Sequence, residues 1–170
     1  EILNTTGCLF QSLGDSSLEA WIKLYNTTPA SKNTQINYYK VGTILALILD
    51  IKLRLAGSSL AALLRNMWHK YGKNVKGYSR NQIIEELDIL SPELAYKLPD
   101  WIEKPQLLPI LDTIKEVGLT LKPVKSKYLN TGIILNQVGE KLIISRVDFD
   151  TPAYNSDLIV GDQIIGVDNF

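Results

Sequence analysis

The stretch INYYKVGTILALILDIKLRL, residues 36–55, decides how the first part of the chain folds. Two adjacent phenols, Tyr38 and Tyr39, follow a polar loop, and an apolar run begins after Gly42. From Tyr38 to Leu55 the pattern is helical and apolar on most sides, which predicts a buried helix. Gly57 is placed to stop it. Two phenols at the mouth of such a helix either pack, with their hydroxyls in water, or present a hydroxyl to a site above the helix end.

Helices are predicted on both sides of this one. Ser16-Ser17-Leu18-Glu19 has the form of a capping box, with Leu18, Trp21, Ile22 and Tyr25 as the apolar face behind it. Asn26 to Gln35 is polar and predicts a loop. Ser58 or Ser59 caps the next helix, with Leu60, Leu63, Leu64, Met67 and Trp68 as its core stripe and Gly72 as its end. His69 and Lys70 suit the C-terminal dipole of that helix. Ser79-Arg80-Asn81-Gln82 is a second capping box, followed by Ile83, Ile84, Leu87 and Leu90. Ser91-Pro92-Glu93 starts a short segment that Pro99 closes. A last helix covers Leu107 to Val117, stopped by Gly118.

The texture changes after Pro123. Ile133-Ile134-Leu135, Leu142-Ile143-Ile144 and Gln163-Ile164-Ile165-Gly166-Val167 are short β-branched runs divided by Gly, Asn and Asp. This divides the chain into a helical unit over residues 1–122, a linker over 123–130 and a small β-rich unit over 131–170. The predicted class is α+β.

The totals narrow the function. The 170 residues carry 18 Lys and Arg against 18 Asp and Glu, a net charge of zero. That is no electrostatic footprint for nucleic acid, and Lys122, Lys125 and Lys127 are too few to make one. Hydrophobic residues at 45% and charged residues at 21% describe a globular chain. The longest apolar run, Val41 to Leu49, falls well short of the ~20 residues of a membrane span. The chain reads as soluble, with the cytoplasm favoured, although the compartment stays open. The Asn4-Thr5-Thr6 and Asn26-Thr27-Thr28 acceptor patterns carry little weight.

Catalytic motifs are missing. The single histidine, His69, has no second ligand nearby, and a zinc site needs several. Cys8, the one cysteine, has no base partner and reads as a packed residue. Glu85-Glu86 reads as a solvated helix face and Asp148/Asp150 as a turn. No metal ligand set and no complete active site can be assembled.

Five stretches nevertheless resemble the C-terminal part of the glycyl aminopeptidase family of zinc metallopeptidases: SLGDSSLEAWIKLY, INYYKVGTILALILDIKLR, LAALLRNMWHKYG, GYSRNQIIEEL and LPILDTIKEVGLTL. They follow the family's order and spacing from Thr6 to Leu121. The tail, GIILNQVGEKLIISRVDFDTPAYNSDLIVGDQIIGVDNF, resembles the first part of a PDZ domain, most strongly at Thr151-Pro152-Ala153 and Gly161-Asp162-Gln163-Ile164-Ile165. The resemblance implies the helical end of a thermolysin-like catalytic domain followed by a truncated PDZ-like unit. It also implies a zinc helix upstream of Glu1, so the chain is expected to be an inactive fragment of a zinc enzyme that itself binds no zinc.

Related peptidases place a tyrosine three residues before a helix glycine, where it donates a hydrogen bond to the reacting carbonyl oxygen. Tyr39 stands three residues before Gly42, although Val41 replaces the lysine of the related pattern. Tyr39 is therefore the implied catalytic residue, with Tyr38 as the competing candidate. In the β unit, Gly132, Ile133, Ile134 and Leu135 would form the edge strand that accepts a peptide or a C-terminus, or else a plain apolar strand. The implied partners are a peptide substrate and a PDZ ligand. The contrasting possibility is a non-catalytic adaptor, a helical scaffold joined to a PDZ peptide-binding unit.

Overall fold

The computed structural model describes residues 6–122, 124 and 128–168. The Asn4-Thr5-Thr6 pattern begins, and half of the expected linker lies, outside the described residues. Among the described residues seven α-helices precede the sheet: α1 (Leu13–Leu18), α2 (Ser31–Thr34), α3 (Tyr38–Leu55), α4 (Leu60–Lys70), α5 (Arg80–Leu90), α6 (Pro92–Glu103) and α7 (Ile110–Glu116). The later elements are β1 (Ile133–Val138), β2 (Lys141–Val147), α8 (Pro152–Asn155) and β3 (Gln163–Ile164). The class is α+β.

Helix α3 has the predicted bounds. Asn37 caps it, and Gly57, at φ 80°, ends it in the left-handed conformation that suits glycine. The N–H groups of Gly57 and Ser58 donate back to the carbonyls of Arg54 and Leu53. Leu45, Ile48, Leu49 and Leu53 make one apolar stripe, buried against Leu63, Leu87, Leu94, Leu98, Trp101, Ile110 and Ile114 from four other helices. The helix is not buried all round as its composition predicts. Leu47 and Leu55 face away from that core and are exposed.

Several helix boundaries differ from expectation for physical reasons. Ser16 does not open a helix. Ser12 does, its Oγ accepting the Asp15 N–H at 3.0 Å. Ser16 is then buried inside α1, which ends at Leu18, so residues 19–25 are turns. The predicted stripe of Leu18, Trp21, Ile22 and Tyr25 is exposed, and Ala20 is the buried residue of that segment. Asn26 to Gln35 contains the single turn α2.

Ser59 caps α4, accepting the Ala62 N–H at 3.1 Å. Leu63 and Met67 are buried, whereas Leu64 and Trp68 are exposed. Tyr71 rather than Gly72 closes the helix. Gly72 makes room for the Trp68 ring, since a Cβ there would lie 2.2 Å from Trp68 Cε3. The Ser79–Gln82 capping box forms as expected. Pro99 does not close α6. It sits inside the helix, because Leu98 and Trp101 on either side are both buried in the core. That burial outweighs the ~3 kcal/mol cost of an interior proline. Helix α7 starts at Ile110, with Pro109 at its cap position, and Leu107 lies outside it.

Glu86 is buried rather than solvated. Lys70 Nζ, on α4, donates to its carboxylate and locks α4 to α5. This hydrogen bond raises the Lys70 pKa above the ordinary lysine range. The folded state therefore binds that proton more tightly than the unfolded state does. The stabilisation is complete below the ordinary lysine range and is lost as pH rises through the elevated value. Urea unfolding followed against pH should show an alkaline loss of stability that shrinks in Lys70→Met. The same variant should be less stable at neutral pH, since Glu86 is left buried and unpaired.

The sheet is antiparallel throughout, in the order β1-β2-β3. Its register shifts between Ile134 and Leu135, where Ser145 is the extra residue on β2 and its Oγ donates to the Ile134 carbonyl at 3.1 Å. Ile144, Val147 and Ala153 form a small core with Ile133, Leu158 and Ile164. The third predicted run pairs only over Gln163–Ile164.

The helices and the sheet meet at Asn33. Its Nδ2 donates to the Val147 carbonyl at 2.9 Å, and its Oδ1 accepts the Phe149 N–H at 2.9 Å. Lys32 Nζ pairs with Asp148 Oδ2 at 2.5 Å, and Arg146 Nε lies 3.0 Å from Asp148 Oδ1. Asp148 is therefore an interface residue rather than a plain turn carboxylate.

Candidate functional site

The site is built from the chain entering α3. Both backbone groups of Ile36, the buried residue just before the cap, are held by side chains. Gln11 Oε1 accepts its N–H at 3.0 Å, and Ser16 Oγ donates to its carbonyl at 2.7 Å. Gln11 is itself buried and donates to Glu19 Oε2 at 3.0 Å. Asn37 Oδ1 then accepts the N–H groups of Tyr39, at 3.0 Å, and Lys40, at 3.2 Å. Thr43 Oγ1 donates to the Tyr39 carbonyl at 2.8 Å. The backbone that carries the two phenols is thus pinned on both sides.

Tyr39 is 59% exposed on this fixed backbone. The Tyr38 and Tyr39 rings lie 4.1 Å apart, tilted by 31°. Trp21 packs against Tyr25 at 5.2 Å. The three phenols are not equivalent. Hydrogen bonds first from Tyr38 and then from Tyr25 hold the Tyr39 phenol below the ordinary tyrosine range. Tyr38 is pushed well above that range, chiefly by its bond to Tyr39, and Tyr25 is raised for the same reason.

A Cβ added to Gly42, one turn on, meets no described atom within 4 Å. Beside the start of α3 lies a cleft of about 960 Å³. Asn37, Lys40 and Val41 line its helical side, and Arg146, Asp148 and Thr151 its sheet side.

The other predicted residues fall elsewhere. In β1, Gly132 precedes Ile133, Ile134 and Leu135, and this strand pairs only with β2 among the described residues. Ile133 packs on the small core, whereas Ile134 and Leu135 are exposed. Gly132, at φ 85°, lies so close to Thr151 that a Cβ would fall 2.1 Å from its Oγ1. The Gly132 N–H is not free for a carboxylate as expected, because it donates to Asn130 Oδ1 at 3.0 Å. His69 is exposed in the last turn of α4. Cys8 is buried, and desolvation pushes its thiol above the ordinary range. Among the described residues no group of three His, Cys, Asp or Glu side chains could hold a metal ion, so these residues do not fit a zinc site.

Sequence reasoning missed Gln11, Ser16 and Tyr25 as parts of this site. Ser16 is assigned to a cap and Tyr25 to a core stripe by local pattern alone. Their roles depend on contacts with Ile36 and with Tyr39, far along the chain.

The profile of the M61 glycyl aminopeptidase family matches residues 1–45, a span that includes Tyr25, Tyr38, Tyr39 and Gly42. The crystal structure of an aminopeptidase N family protein from Idiomarina loihiensis matches 99% of this chain, with a TM-score of 0.82 at 25% identity. Over residues 1–45 this chain is similar to the glycyl aminopeptidases. It spans 32% of the Idiomarina aminopeptidase N family protein, about a third of that chain. No curated protein matches it by sequence. The relation to the glycyl aminopeptidases covers the phenol cluster and both residues that hold Ile36, Gln11 and Ser16. No helix among the described residues is long and apolar enough to cross a membrane.

Proposed function

We propose that this chain is the helical wall and β-rich end of a larger zinc aminopeptidase. The peptidase removes small N-terminal residues such as glycine from peptides. In this proposal Tyr39 donates its phenolic hydrogen to the substrate carbonyl oxygen as negative charge develops there. The metal ligands belong to other parts of the enzyme, and this segment alone is inactive. What the described residues contribute is orientation and a preorganised hydrogen-bond donor. The β unit begins a PDZ-like fold whose open β1 edge, Ile133 to Leu135, adds a peptide strand.

The observation that carries the proposal is the fixed Tyr39 phenol. It stands exposed on a capped helix start, beside a cleft, and its phenol is held below the ordinary tyrosine range. The family relationship supports the reaction class. The test is hydrolysis of glycyl, alanyl and leucyl p-nitroanilides by the whole peptidase. Glycyl and alanyl substrates should be cleaved with higher kcat/KM than leucyl. A preference for leucyl, or no cleavage of any of the three by folded, zinc-loaded enzyme, would count against the proposal.

A further inference from the structure

We infer that the loop between α4 and α5, residues 71–79, is a docking tip for an anionic lipid surface. Val75 enters the headgroup layer there, and Lys73 and Lys76 meet the negative headgroups. None of these residues lines the cleft beside α3.

Val75 is held in an unusual backbone state. After α4 the chain makes one turn of 3-10 helix, Gly72–Asn74. The Lys76 N–H donates to the Tyr71 carbonyl and the Val75 N–H to the Gly72 carbonyl, each at 3.0 Å. This pair of bonds closes a helix end and leaves the residue before the last donor left-handed, a position that favours glycine. Val75 occupies it, at φ 52°. A β-branched side chain is strained in that conformation. The other non-glycine residues with positive φ among the described residues are all aspartates, which tolerate it. Packing does not offset the strain at Val75, whose side chain is 95% exposed. The loop thus holds an apolar side chain out in water at a cost to the fold.

The surroundings of the tip indicate what it meets. From Ala61 to Ile84 the chain carries five Lys and Arg and no acidic residue, within a protein of zero net charge. Two of the five are engaged, Lys70 with Glu86 and Arg80 with Glu103. Arg65, Lys73 and Lys76 have no ion pair among the described residues, and residues 73–80 are all exposed. Behind the tip, the Trp68 ring lies against Gly72, and the Tyr71 and Tyr78 rings stand 6.1 Å apart. Trp68 and Tyr78 are exposed, and so is Leu64, one turn before Trp68. Tryptophan and tyrosine suit the level at which headgroups meet acyl chains. A nucleic acid or an acidic peptide would account for the charges and leave the strained valine without a role. A bilayer accounts for both, because apolar insertion and headgroup attraction act together.

The test is co-sedimentation of the full-length protein with vesicles of phosphatidylcholine, alone or mixed with phosphatidylserine. Binding should need phosphatidylserine and weaken as salt is raised. Lys73→Gln with Lys76→Gln should lower the partition coefficient about 25-fold, at about fivefold for each basic residue near the surface. Val75→Gly should lower it about 5- to 10-fold, since the apolar tip is gone. The same variant should not lower the urea midpoint, because glycine fits the left-handed position. Ile165→Asp, at an exposed apolar residue of the β unit, should leave vesicle binding unchanged. Equal binding to both kinds of vesicle, or to neither, would overturn the inference. So would phosphatidylserine binding that is lost in the lysine variant and kept in Val75→Gly, which would mark the loop as a site for polyanions in general. A lower urea midpoint in Val75→Gly would place Val75 in the scaffold and overturn it as well.

Discussion

Tyr39→Phe in the whole peptidase should lower kcat by roughly 10²–10³, the usual effect of removing one preorganised oxyanion donor. KM for a glycyl substrate should change little, because the hydrogen bond strengthens only as charge develops on the carbonyl oxygen. The fold should be untouched. The phenol is exposed, and the cap runs from Asn37 Oδ1 to backbone N–H groups that phenylalanine keeps. The ring also remains to pack against Tyr38, so the variant removes one hydroxyl and little else. A parallel fall in kcat and in thermal stability would instead assign Tyr39 to the scaffold.

Leu53→Ala should destabilise the helical unit by about 2–5 kcal/mol, measured by urea unfolding. Leu53 is fully buried in a core assembled from α3, α4, α5, α6 and α7. A cavity there is walled by helices that are tied elsewhere. Asp50 accepts the Leu60 N–H at 2.9 Å, Lys70 grips Glu86, and Lys52 Nζ pairs with Glu116 at 2.6 Å. The walls cannot collapse freely into the gap, so the cost should fall in the upper part of the range. Leu55→Ala, two residues on, is the control. Leu55 is 53% exposed, and its loss should change stability by less than about 0.5 kcal/mol. Equal effects at the two positions would mean that the core is not where the fold places it.

Local rules read some of this fold and not the rest. The bounds of α3 were legible because the apolar helical run and Gly57 are local signals, and the same holds for the Ser79–Gln82 box and for Gly118 at φ 79°. The start of α1 was not. Ser12 and Ser16 each stand three residues before an acidic residue, Asp15 and Glu19, so both look like caps. What separates them is the carbonyl of Ile36, twenty residues away, which takes the Ser16 hydroxyl inside. The Leu18–Tyr25 stripe failed with that start, and Tyr25 moved from an expected core to the phenol cluster. Pro99 was read as a stop because its backbone cost is local, whereas the burial of Trp101 that offsets it is tertiary. Glu86 looked solvated because its partner, Lys70, lies on the preceding helix. Tyr39 entered as a candidate through the resemblance to related peptidases, whose tyrosine stands three residues before a helix glycine. The side chains that make it distinct from Tyr38 were not legible.

The most direct test of the role given to this chain sets Tyr38→Phe beside Tyr39→Phe in the whole peptidase, with kcat on a glycyl p-nitroanilide as the readout. Tyr39→Phe should fall by roughly 10²–10³ and Tyr38→Phe by no more than about 10-fold, since Tyr38 only supports the donor. A larger loss at Tyr38 than at Tyr39, or full activity in both variants, would contradict the assignment of Tyr39 as the donor.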